Sequence, residues 1–188
     1  LADQLDRRPA APPSPPLQTS RPIAPEAAAG PAKEPEGLLF WNGFGGFTGD
    51  GREYAIVIDG TPSGGPALPP GPWTTVLANP GFGCLVTEAG LGYTWAGNSQ
   101  MNRLTPWSND PVSDPPGEVV YLRDDETGAI WTPTPLPRGP AAAVTVRHGQ
   151  GYTSYAHQAG GLDQALVVLV PPDDPVKVLH LTVRNVGD

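Results

Sequence analysis

The chain has 188 residues, enough for one domain of ordinary size plus a tail, and carries 24 Gly and 26 Pro against only 11 Lys and Arg. A net charge of −8 with no basic run excludes the electrostatic footprint of a nucleic-acid binder or of a protein drawn to anionic membrane surfaces. No run of about 18 apolar residues is present to span a membrane.

Leu1 stands where a Met would open a new chain, and the sole Met is Met101, so the sequence reads as a piece of a longer or processed polypeptide. Its start lacks the basic-then-apolar pattern of a signal peptide. Residues 1–37 read as a linker or tail: the first 36 hold nine Pro, eight Ala and no aromatic residue, too little apolar surface to fold alone. The composition changes at Leu38, and residues 38–188 read as one β-sandwich domain. Phe40–Phe47 (FWNGFGGF) alternates aromatics with glycines, which predicts tight turns with the large side chains docked into a core. It is not a dinucleotide fingerprint, because no helix follows; no cofactor is expected.

Strands are predicted over Glu53–Ile58, Trp73–Asn79, Phe82–Glu88, Tyr93–Trp95, Glu118–Arg123, Ala129–Trp131, Val144–His148, Tyr152–Ala159, Leu162–Val170 and Val176–Asn185. The last is apolar on both faces and is expected to be central and covered on both sides. No segment of ten residues shows helical periodicity free of Pro and Gly, and turn signals recur at the spacing of an all-β sandwich or barrel. Cys84, in FGCLV, reads as a small buried apolar residue. The sandwich is expected to continue past Asp188, leaving an unpaired sheet edge that favours self-association.

Between Trp95 and Gly117 runs a long loop, WAGNSQMNRLTPWSNDPVSDPPG. Its prolines forbid helix interior and central strand. Asn98, Gln100, Asn102 and Asn109 offer amides, Arg103 a planar donor fork, Asp110 and Asp114 acceptors, and Trp95 and Trp107 flat apolar faces. That combination suits a sugar, which presents an apolar ring face and a rim of hydroxyls. The candidate substrate-binding residues are Arg103, Trp107, Asn109, Asp110, Trp95 and Asn98. The alternative is a surface loop that packs its own aromatics.

Catalytic patterns are thin. His148, His157 and His180 show no metal-ligand spacing, and no serine elbow occurs. His148 and His157 flank one hairpin, a placement that can set them face to face; His180 reads as a core or sheet-face residue. Asp124, Asp125, Glu126, Asp173 and Asp174 lie in turns and do not supply two carboxylates facing across a sugar.

The stretch YTWAGNSQMNRLTPWSNDPVSDPPGE, with GFGGFTGDGREYAIV before it and TVRHGQGYTSYAHQAGGLDQ and VPPDDPVKVLHLTVRN after it, resembles the sandwich domain of cyclic β-1,2-glucan synthases and of the related family 94 glycoside phosphorylases. The resemblance covers residues 41–185. It implies an all-β, antiparallel super-sandwich of the galactose-mutarotase-like kind that precedes an (α/α)6 barrel in the same chain. In that family the barrel carries the catalytic acid, so no catalytic residue is carried over and the fragment alone is expected to be inactive. The resemblance also implies a glucan or oligosaccharide partner, a possible homodimer, and a parent enzyme of the bacterial inner membrane with this segment on its cytoplasmic side. Three functions stay open: a carbohydrate-binding or scaffolding domain, a purely structural dimerisation domain without sugar contact, and a self-contained epimerase using His148 or His157.

Overall fold

The computed structural model describes residues 37–60 and 65–187, so the linker expected over 1–37 lies, but for Gly37, outside the described residues. The described chain is all β and every strand pairing is antiparallel. The strands are β1 (Leu38–Leu39), β2 (Gly45–Thr48), β3 (Tyr54–Ile58), β4 (Thr75–Asn79), β5 (Phe82–Val86), β6 (Leu91–Ala96), β7 (Leu122–Arg123), β8 (Ile130–Trp131), β9 (Val144–His148), β10 (Tyr152–Ala159), β11 (Leu162–Leu169) and β12 (Val178–Asn185). A seven-stranded sheet has the order β1-β2-β3-β9-β10-β11-β12, a three-stranded sheet the order β4-β5-β6, and β7-β8 form a small ribbon.

The two larger sheets make the sandwich. Strand β9 pairs with β3 across the whole intervening insertion, and that insertion supplies the second layer. Period-2 patterning decides which side chains meet. Ile56 and Ile58 of β3, Val144 and Val146 of β9, Tyr155 of β10 and Leu166 and Val168 of β11 face Leu77, Cys84, Val86 and Leu91 of the smaller sheet in one buried cluster. Truncating a fully buried Ile56 or Leu166 to Ala would cost about 2–5 kcal/mol. Tyr155, fully buried, reaches across the layers and donates its hydroxyl hydrogen to the Thr87 carbonyl at 2.6 Å. A buried phenol needs such an acceptor, and here it also locks the β5–β6 turn to the large sheet. Cys84 is buried as expected, and burial pushes its thiol up to about 11.

Two expectations are corrected. The aromatics of Phe40–Phe47 do not enter the core: Phe40 is 85% exposed and Phe47 45%, while the buried residues are Gly45 and Gly46. Strand β2 lies so close to its neighbours that a Cβ on Gly45 would stand 2.6 Å from the Ala55 carbonyl oxygen. The glycines serve strand approach, and the aromatics between them are left at the rim. Among the described residues strand β12 is an edge strand, not a central one: it pairs with β11, and all but one of its residues are exposed, Leu181 packing against the core.

Candidate functional site

The loop over 97–117 is built on strand β6. Gly97, at φ +66°, turns the chain, and the side-chain oxygen of Asn98 accepts the backbone N–H groups of Gln100 at 2.9 Å and Met101 at 2.8 Å. The chain then doubles back along β6: Leu104 N–H donates to the Thr94 carbonyl at 2.8 Å, and Trp95 bridges Arg103. The exit also lies against β6, where Glu118 bridges Leu91. Only glycine fits at 117, since a Cβ would stand 2.2 Å from the Gly92 oxygen and 2.3 Å from the Pro106 oxygen.

This path brings Trp107 over Tyr93. The rings are stacked, centroids 4.8 Å apart and 13° from parallel, and Trp95 follows at 5.1 Å from Tyr93. The guanidinium carbon of Arg103 sits 5.3 Å from the Trp107 ring and 5.7 Å from that of Tyr93, inside cation–π range. Arg103 is exposed, its Nε donates to the Ser99 carbonyl at 3.3 Å, and no carboxylate among the described residues pairs with it. Trp107 is half-buried. Trp95 is only 9% exposed and covers Gly83, where a Cβ would stand 2.5 Å from its ring. Asn109, at φ +51°, and Asp110 are exposed at the next turn. Asp110 accepts Val112 N–H at 2.9 Å and the Ser113 hydroxyl at 2.5 Å, and the Ser113 hydroxyl leads the hydrogen bonds that hold its carboxyl below the usual range. Asn98 and Asp110 thus spend their oxygens within the loop itself.

The loop's base holds a polar network. Glu118 Oε1 accepts the hydroxyls of Thr94 and, at 2.8 Å, Thr105, while Oε2 pairs with Lys177 from the connection before β12. Lys177 also donates to Thr94 Oγ1 at 2.7 Å. Burial pushes the Glu118 carboxyl up, but Lys177, Thr94 and Thr105 outweigh it and leave it below its ordinary value.

The family model for the glycosyl hydrolase 94 supersandwich domain matches residues 52–188. The chain belongs to that family. It is 41% identical over 167 residues to the cyclic beta-(1,2)-glucan synthase NdvB of Rhizobium meliloti (strain 1021), covering 87% of this chain and 6% of that protein. It is 27% identical over 148 residues to the N,N'-diacetylchitobiose phosphorylase of Vibrio proteolyticus and 30% identical over 146 to the solabiose phosphorylase of Paenibacillus borealis, spanning 18% of each.

Other parts of this supersandwich chain qualify the sequence reading. His148 and His157 both lie on the inner face of the β9–β10 hairpin but do not meet: His148 pairs with Thr153, and His157 lies four residues further on, past the last β9 pair. Burial lowers both imidazoles to about 4, and neither has an acid partner in hydrogen-bond contact. His180 is exposed on β12. Asp124 accepts Glu126 N–H at 2.8 Å and the Thr127 hydroxyl at 2.7 Å, a turn role. Among the described residues no group of three His, Cys, Asp or Glu gathers as a metal site, and no helix is long and apolar enough to cross a membrane. Sequence reading missed Tyr93, Glu118 and Lys177 as parts of the loop's architecture. It also missed Glu88, 2% exposed, which burial raises to about 7 and which accepts Trp73 N–H at 2.7 Å. The only local signal for Tyr93 was its place in a strand that feeds the loop.

Proposed function

We propose that this chain is a carbohydrate-binding and scaffolding part of a glucan-acting enzyme, itself non-catalytic, with the loop over 97–117 as its sugar contact. The observation that carries the reading is the stack of Arg103, Trp107 and Tyr93. An exposed guanidinium free of any carboxylate keeps its terminal N–H groups for neighbouring hydroxyls, and a half-buried indole offers an apolar face beside it. The likeness to a cyclic beta-(1,2)-glucan synthase supports a glucan as the ligand. In this reading Trp107 and Arg103 touch the sugar, Asn109, Asp110 and Asn98 hold the loop, and Trp95 props Tyr93 from below. The linker over 1–37 and a barrel in the same polypeptide would place the domain beside the chemistry, in an enzyme of the bacterial inner membrane with this segment in the cytoplasm.

A second reading, a structural or dimerising domain without sugar contact, is favoured by one observation: Trp107 already spends a ring face on Tyr93. Oligosaccharide kinetics and thermal melts on full-length Trp107→Ala separate the two. A rise in KM or loss of binding of roughly ten- to hundred-fold supports sugar contact, the range for losing one stacking contact of about 1–3 kcal/mol. Unchanged kinetics with a lowered melting temperature make Trp107 a packing anchor.

A further inference from the structure

At the opposite edge of the three-stranded sheet, beside the start of β4, lies an open hollow that the loop does not account for and whose Tyr54 and Trp73 also pack against the core. It has a volume of about 410 Å³ and is lined by Asn42, Tyr54, Trp73, Thr74, Thr75 and His148. That volume falls within the range of small-ligand sites. Two of its walls are aromatic and stand nearly perpendicular, Tyr54 and Trp73 with centroids 5.6 Å apart at 71°. Phe47 and Phe44 brace them edge-on at 4.9 and 6.2 Å.

The polar groups are neutral and underused. Tyr54 accepts a hydrogen bond from Asn42 Nδ2 at 3.2 Å, which leaves its own hydroxyl hydrogen to donate. The side-chain hydroxyls of Thr74 and Thr75 make no hydrogen bond within the described protein, and both residues are accessible, Thr74 exposed and Thr75 in part. Burial lowers His148 to about 4, so it is uncharged at neutral pH; its Nδ1 lies 2.9 Å from Thr153 Oγ1, and Nε2 is buried without a hydrogen-bond partner. Among the described residues no Asp, Glu, Lys or Arg lines the space.

We propose that this cavity is a second carbohydrate site, which takes a neutral sugar residue with its ring face against Tyr54 or Trp73 and its hydroxyls on Tyr54, Thr74 and Thr75. The absence of a cation in the lining disfavours phosphates and carboxylates, and the overall charge of −8 repels them further. The paired aromatic walls disfavour a purely polar solute such as a polyol without a ring face. The inference does not rest on the loop over 97–117, which lies on the β6 side of the same sheet.

The test is a titration with the β-1,2-linked glucose disaccharide and tetrasaccharide in a Trp107→Ala background, which removes the loop's contribution. The NMR signal of the Trp73 indole N–H, assigned with Trp73→Phe, is the readout. The expected result is a saturable shift of that signal, weakened roughly tenfold or more in Tyr54→Phe/Thr75→Val, which deletes two neutral hydrogen-bonding hydroxyls. Thr74→Val, at an exposed position, repeats the measurement if the double variant loses its fold. A Trp73 signal that stays still at high millimolar sugar, or a shift that the hydroxyl-deleting variants leave unchanged, overturns the proposal and leaves the loop reading untouched.

Discussion

The two edges of the small sheet solve the same problem in opposite ways. On the β6 side, aromatic rings are carried by an irregular loop whose shape depends on side chains: Asn98 and Asp110 tie up its backbone, and a part-buried Glu118–Lys177 pair pins its base. On the β4 side, the rings stand on or next to regular strands, and Trp73 is held through its backbone N–H, which donates to Glu88 at 2.7 Å. The first arrangement carries a charge at its tip and a charge pair at its root. The second has no charged lining among the described residues. A loop can be reshaped with few consequences for the core, so a charged, adaptable contact belongs there; a cavity fixed by strands suits one neutral shape.

The sharpest way to break that contrast is Lys177→Met. It leaves the Glu118 carboxylate in place with its side chain 18% exposed and without its cation. Removing one partner of a fully buried pair costs about 3–5 kcal/mol; this pair is part-buried, so the loss should fall toward the lower end of that range, the largest effect among these variants. Urea unfolding at pH 7 should show it, and Glu118→Gln in the same chain should restore much of the loss. The ring contact between Trp107 and Tyr93 should weaken while Tyr54 against Trp73 stays intact. Equal loosening at both edges would mean that the pair supports the whole sandwich and not the loop.

The β4 side answers to pH instead. Glu88 is raised from 4.5 to about 7, chiefly by burial, so the folded state holds its proton more tightly than the unfolded chain. Its contribution to stability is therefore complete below about pH 4.5 and is lost as pH rises through 7, about 3 kcal/mol in all. His148 and His157 act with the other sign: lowered from 6.5 to about 4 by burial, they contribute above pH 6.5 and fail as pH falls through 4. Glu88→Gln keeps an acceptor for Trp73 N–H and removes the titration. Its stability curve should lose the decline between pH 4.5 and 7 and lie above the parent's at pH 8. A parallel pair of curves would show that Glu88 does not titrate in that window.

Next in size is Trp107→Ala with its expected ten- to hundred-fold effect on oligosaccharide KM in the full-length enzyme. Set beside Asp110→Ala, it sharpens the division within the loop. Asp110 feeds only the turn, so its loss should lower the melting temperature more than it alters affinity.

Much of this was legible beforehand, for physical reasons that can be named. Strands β9, β10 and β11 alternate because one face meets the core, while β3 buries Ala55 and Ile56 in succession. The loop announced itself through prolines that no strand interior tolerates. What stayed hidden depends on partners distant in sequence. Lys177 meets Glu118 across 59 residues, and nothing in the run PPDDPVK signals a buried cation. Strand β12 misled because apolar residues on both faces look alike whether a neighbour covers them or not. The glycine–aromatic run misled because glycine permits close strand approach as readily as a tight turn.

The smallest expected effect tests whether the loop is held by its own side chains at all. Asn98 is exposed, yet one side-chain oxygen accepts two successive N–H groups just after the chain leaves β6. Asn98→Ala should cost about 1 kcal/mol, the usual value of a hydrogen-bonded cap, and should speed hydrogen exchange at Gln100 and Met101 without changing it in β3 or β9. Asn98→Asp supplies the same acceptor oxygen and should restore the protection. Sugar affinity should fall slightly in the first variant and recover in the second, because the turn sets the path that brings Arg103 back beside Trp95 and over Trp107. If alanine leaves exchange at 100 and 101 unchanged, the β6 ladder alone fixes the loop, and its side chains are free to be read as ligand contacts in their own right.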